Sequence, residues 1–233
     1  MCMVTPPETT ETHRRRLRMI LVGMSVTVIL MVAAVLLIEH GWRLRVNSNG
    51  IEIAAIHYPD DIPIHIAHGV DINAPPWPLQ FAVNFQNPES VRVLLANGAD
   101  PNLPPGPLLD LAAMHLDEPH GREIVMLLLE NGADVNARAT FGYTALSVVV
   151  QHSDELIARE LIDRGADPDA TGDAGQAPLS WAAAVKDEPM VRLLLELGAS
   201  PHIRDKQGHS AYSGATSKIK AIFDEHAKSM AGS

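Results

Sequence analysis

Apolar and polar positions follow two different regimes along this chain. From Met19 to Ile38 twenty residues pass without a charge, and Ser25 and Thr27 are their only polar side chains, so no amphipathic face exists. At about 1.5 Å per residue such a helix crosses a hydrocarbon core of about 30 Å. The pattern predicts one transmembrane helix over 19–38. From about Gly50 onward the apolar residues come instead in short runs such as Val91 to Leu95, Ile124 to Leu129 and Met190 to Leu195. Each run ends shortly before a glycine followed by turn formers, as expected of helices closed by a left-handed residue.

Those glycines are periodic. Gly-[Ala/Val]-[Asp/Ser] recurs at Gly69, Gly98, Gly132, Gly165 and Gly198, at intervals of 29, 34, 33 and 33 residues. A second mark keeps the same phase: Leu79, Leu108, Leu146, Leu179 and Tyr212, preceded by Pro78, Pro107, Ala145, Pro178 and Ala211. Proline at a helix start sacrifices no intrahelical hydrogen bond and its φ is already helical, so the prolines predict helix starts. Each unit therefore reads as helix, loop, helix, extended turn. One unit cannot bury its apolar face alone, and stacked neighbours must share a continuous core.

With Gly132-Ala133-Asp134-Val135-Asn136 closing one unit and Ala177-Pro178-Leu179-Ser180-Trp181-Ala182 opening another, the chain from about Gly50 to Ala227 resembles the ankyrin repeat. The resemblance implies an all-α solenoid of helix-loop-helix repeats with short β-hairpin fingers, here preceded by the membrane helix. The expected organisation is a tail over 1–18, the membrane helix over 19–38, a linker over 39–49 and the repeat domain over 50–230. Within the domain an N-terminal cap (50–74) precedes repeats 75–102, 103–136, 137–169 and 170–203 and a C-terminal cap (204–230). In that cap Ile219, Ile222 and Phe223 form the apolar face. The family's opening Thr is replaced by Trp77, Gly106 and Ala177, and its His by Gln80, Leu109, Ser147 and Ser180, which predicts a weaker hydrogen-bond network in that turn.

Two departures from the period carry information. From closing Gly to the next opening Leu the chain takes 10 residues at the first two junctions and 14 at the last three, so full fingers are expected only in the C-terminal half. The short junctions are rich in proline, which lacks the N–H a hairpin needs. Gly132 follows Leu108 by 24 positions where the other units take 19, an insertion near His115 to Arg122. Such an insertion is either a binding element or a tolerated loop.

The formal charge of the chain is −10, and four Arg against three Glu in the first 39 residues leave −11 on the rest. An acidic body repels phosphate, so nucleic acid is not an expected partner and a basic protein surface is. Arg14, Arg15, Arg16 and Arg18 before the apolar stretch predict an N-in orientation with the repeat domain outside the cytoplasm. A cleavable signal peptide, cut near Val32-Ala33-Ala34, is the alternative; it would leave Val35 to Ile38 as an exposed apolar terminus, and the apolar region exceeds the usual length. Cys2, the only cysteine, precedes the apolar stretch, where a lipid-modified cysteine would follow it. A cytoplasmic-facing anchor would need the opposite topology.

No catalytic motif or phosphate-cradling glycine loop occurs, and no cofactor is expected. His65 with His68 and His115 with His120 fall short of the four ligands a structural metal site requires, and they are assigned to the surface. Trp77 and Trp181 are assigned to the core. At positions that ankyrin repeats vary for recognition, the resemblance assigns protein binding to Arg138, Thr140, Phe141 and Tyr143, to Gln151 and His152 on the first helix of that repeat, and to Asp173, Lys206, Gln207 and His209 on later fingers. It implies a non-enzymatic protein-binding module at a bacterial inner membrane, facing the periplasm. Its partner would be a basic or membrane-active effector, as for immunity proteins that neutralise a secreted phospholipase-type toxin. The alternative is a scaffold for an envelope enzyme, for example in oxidative-stress defence.

Overall fold

Proline in the first turn opens several of the helices, and a glycine follows each second helix. The computed structural model describes residues 58–75, 77–103 and 106–231; the apolar stretch 19–38, the tail before it and the linker after it lie outside the described residues. Among the described residues no helix is long and apolar enough to cross a membrane. A 3-10 turn, Pro59–Asp61, leads into the cap helix α1 (Ile62–Ala67). Then follow four helix pairs: α2 (Pro78–Asn84) with α3 (Pro88–Ala96), α4 (Leu108–Ala113) with α5 (Gly121–Glu130), α6 (Ala145–Gln151) with α7 (Glu155–Asp163), and α8 (Pro178–Val185) with α9 (Glu188–Glu196). A stub, α10 (Ala211–Gly214), and the long α11 (Ser217–Ala231) close the domain.

Pro78 and Pro178 sit inside the first turn of their helices, as the missing N–H allows. Pro107 instead stands one step outside, as the extended N-cap of α4. Three of the four second helices start on side-chain caps: Asn87, Asp154 and Asp187 accept from the amides of Ser90, Ile157 and Met190 at 3.0, 3.2 and 3.0 Å. At the other end Gly165, for example, has φ +95°, a left-handed value that every L side chain resists.

First helices pack on first helices in chain order, α2 to α4 to α6 to α8 to α10, while second helices lie behind them. The two layers enclose one apolar core. Ile124 and Leu128 of α5, Leu146 of α6, Ile157 and Leu161 of α7, Leu179 of α8 and Leu194 of α9 are completely buried. Ile219, Ile222 and Phe223 of α11 seal its C-terminal end. His65, assigned to the surface from the sequence, is buried instead, with Nδ1 unpartnered. Its place in α1, which packs under α3, puts the ring against the core.

The closing turns are tied together by a side-chain ladder. Asn73, Asn102 and Asn136 each donate from Nδ2 to the carbonyl of the next closing glycine, Gly98, Gly132 and Gly165, at 3.2, 2.9 and 2.9 Å. Each accepts at Oδ1 from the next Asp amide, of Asp100, Asp134 and Asp167, at 2.9, 2.8 and 2.9 Å. At the fourth rung stands Asp169, whose carboxylate accepts from the Ser200 amide at 2.8 Å and has no proton to give the Gly198 carbonyl. Asp169→Asn should therefore stabilise the domain by about 1 kcal/mol, the net contribution of one added hydrogen bond. A denaturant midpoint that fails to rise would show that the rung does not close.

The expected β-hairpin fingers need correction. Among the described residues no strand forms, and the single isolated bridge pairs Arg204 with Ser210. Each full finger is one tight turn: Ala139, Gly172 and Asp205 donate to the carbonyls of Tyr143, Gln176 and His209 at 2.8, 3.2 and 2.8 Å. With so few residues in each arm a continuous ladder has no room.

Candidate protein-interaction surface

The three fingers stand side by side and share backbone hydrogen bonds. Asp173 N–H donates to the Phe141 carbonyl at 2.7 Å, and Lys206 N–H to that of Ala174 at 3.0 Å. Equivalent positions form rows one repeat apart: Thr140, Asp173 and Lys206 in one, Phe141, Ala174 and Gln207 in the next, Tyr143, Gln176 and His209 in the third.

Phe141 and Tyr143 share a finger and have different surroundings. The Phe141 ring is 71% exposed, on a backbone held at φ +61°. A bulky residue pays strain there, and the neighbouring finger holds it in place through the Asp173 hydrogen bond. Gln86, Ser153 and Lys186 also have positive φ, in the turns between paired helices, and Trp77 has it before α2. Among these five Phe141 alone presents an exposed aromatic ring. Tyr143, by contrast, packs into the next repeat. Its ring meets Trp181 edge-on at 6.0 Å, its hydroxyl donates to Gln176 Oε1 at 3.2 Å, and it abuts Gly172 so closely that a Cβ there would overlap it. Trp181 is half-buried against the core and Trp77 half-buried before α2.

Arg138 is also engaged, donating from Nη2 to the Thr171 carbonyl at 2.6 Å. Thr140, Asp173, Lys206, Gln207 and His209 are exposed, and the His209 ring stands 3.7 Å from the Asp205 carboxylate. Gln151 and His152 lie at the far end of α6, about 10 Å along the helix at 1.5 Å per residue. The residues grouped from the sequence thus divide into a finger cluster and a separate pair.

The insertion occupies that far end as well. Asp117 meets His152 Nδ1 at 3.0 Å, and Arg122 Nε donates to the buried Asp154 carboxylate at 2.5 Å, so the inserted loop is clasped to the following repeat. His152 is thereby largely covered, with 22% of its side chain exposed. The insertion belongs to the helix-loop end of the repeats and not to the finger end. In the opening turn of α6 the Thr144 and Ser147 hydroxyls are buried without hydrogen-bond partners, as the weaker network predicts.

Aligning the first helices by their opening leucines brings out a residue that motif reading passed over. Asp110 stands where the other repeats have Phe81, Val148 and Trp181. It is the only charged residue of α2 or α4, and no described residue gives its carboxylate a hydrogen bond or ion pair. Burial raises its pKa above the ordinary carboxylate value. The native state then holds the proton more tightly than the unfolded chain, so Asp110's contribution to stability falls as pH rises from the ordinary value through the native one. Once ionised, the group opposes folding.

Paired antiparallel helices stacked in two layers around one core define a helical-repeat solenoid, a class that works through its surface. A model of three consecutive ankyrin repeats matches residues 109–205, and a single ankyrin-repeat model matches residues 77–104. The chain carries ankyrin repeats, and these imply binding to another protein. Among curated proteins none matches it.

Proposed function

We propose that this chain is a non-enzymatic protein-binding module whose full fingers, from Arg138 to His209, grip a basic partner, with Phe141 as an anchor. The observation that carries the reading is the Phe141 ring, exposed on a strained backbone that the adjacent finger holds in place. Exposed aromatics of this kind dominate interface energetics when a partner covers them. The formal charge of −10 supports a cationic partner.

The stretch 19–38 holds the module in an inner membrane, and the arginines before it orient the repeats toward the periplasm. In that position an acidic surface suits an immunity protein that intercepts a secreted phospholipase-type effector. A C-terminal reporter enzyme active only outside the cytoplasm should be active on the full chain. A cytoplasm-only reporter that is active instead would reverse the topology. Envelope proteins cross-linked to the full chain should be basic, and the cross-link should be lost on Phe141→Ala; retention of the same cross-link would remove the finger surface from the reading.

A further inference from the structure

The fingers leave part of the first-helix layer unaccounted for. In the two N-terminal repeats, where the junctions are four residues shorter, the C-cap residues of α2 and α4, Phe85 and Met114, are 58% and 59% exposed. On α2 the Phe81 and Phe85 rings stack, with centroids 6.4 Å apart and planes within 10°, which places both on one face. On α4 Asp110 and Met114 have the same spacing of four residues, so the repeat superposes Asp110 on Phe81 and Met114 on Phe85. Adjacent packed helices lie about 8–10 Å apart. The result is a four-residue patch, apolar at three corners and anionic at the fourth.

We infer that this face of α2 and α4 is a docking site for an apolar segment of a partner protein that carries one Lys or Arg side chain to meet Asp110. The inference rests on the reading of the chain as a protein-binding module and adds a second contact region with its own chemistry. Charge complementarity selects the occupant. A half-buried carboxylate among apolar side chains is destabilising when left alone, and no described residue pairs with it. A cation delivered inside an apolar segment compensates that charge on binding, whereas an all-apolar segment would bury it unpaired. One cation suffices because neither α2 nor α4 has a second charge. Keeping Asp110 where the other repeats place Phe, Val or Trp costs stability in the free protein, the trade-off common at binding sites.

Selection of a random displayed-peptide library on the full chain tests this directly. Selected peptides should share a single Lys or Arg flanked by apolar residues at helical spacing. Asp110→Asn should weaken them about tenfold or more, as should Phe85→Ala combined with Met114→Ala, and Phe141→Ala should leave them unchanged. Asp110→Asn should melt no lower than the parent, which separates lost binding from lost folding. A consensus without a basic residue, or affinities unmoved by Asp110→Asn, would overturn the proposal. Binders that depend on Phe141 but not on Asp110 would overturn it while leaving the finger reading intact. Self-association of the full chain that Asp110→Asn disperses would seat a second copy on the face and also defeat it.

Discussion

Phe141→Ala should weaken the partner complex by about 2 kcal/mol or more and leave the unfolding midpoint unchanged, whereas Tyr143→Ala should destabilise the fold by about 2–3 kcal/mol and lower that midpoint accordingly. The two rings are two residues apart on one turn, and only their surroundings separate them. Phe141 touches little and is exposed, so its removal from the free protein takes away few contacts. Tyr143 is a joint between repeats: the edge-on contact with Trp181, the hydroxyl bond to Gln176 and the close fit over Gly172 are all lost together. Tyr143→Phe should restore most of the stability, because it keeps the ring contact and loses only the hydroxyl bond. Calorimetric binding beside a denaturant melt distinguishes the pair. If Tyr143→Ala melts like the parent, the contact across the repeat boundary contributes nothing and the two rings are equivalent.

Gly121→Val should destabilise the domain by about 3 kcal/mol, the upper range for forcing atoms into a packed site. Gly121 opens α5 directly beneath the inserted loop, and a Cβ there would overlap the His115 carbonyl and press on the Leu116 backbone. Backbone cannot rotate aside as a flexible side chain does. The loop would have to lift, and with it the Asp117 contact to His152 and the Arg122 contact that neutralises buried Asp154. Losing the second leaves a buried carboxylate without its cation, which is the expensive part. Gly132→Val is the internal comparison: its φ of +82° strains any L side chain, but no atom lies within 4 Å of the added Cβ. Equal losses from both would mean that left-handed strain, and not the clasped loop, sets the cost.

The period of the closing glycines, the proline helix starts and the apolar runs carried most of the fold on their own, because each acts within a few residues of itself. A glycine ends a helix by its φ, a proline starts one by its ring, and the apolar period selects the buried face. The turn with few hydrogen bonds was also legible, since the replaced Thr and His positions are local. Sequence alone therefore determined a stack of helix pairs, its C-terminal cap and the location of the full-length fingers.

Tertiary structure decided what each exposed position is for. Nothing near Phe141 or Tyr143 in the chain tells which ring is free, because the answer is set by Trp181 and Gln176 a repeat away. His152 looked accessible on its helix until the inserted loop, 35 residues earlier at Asp117, came to lie over it. The finger arms formed single closed turns and not strands because too few residues separate the helices for a ladder. Asp110 was visible as a letter but not as an anomaly until neighbouring repeats placed Phe81, Val148 and Trp181 in the same row. Local chemistry repeats with the period, whereas burial and pairing depend on what the next repeat places alongside, and only the assembled stack supplies that.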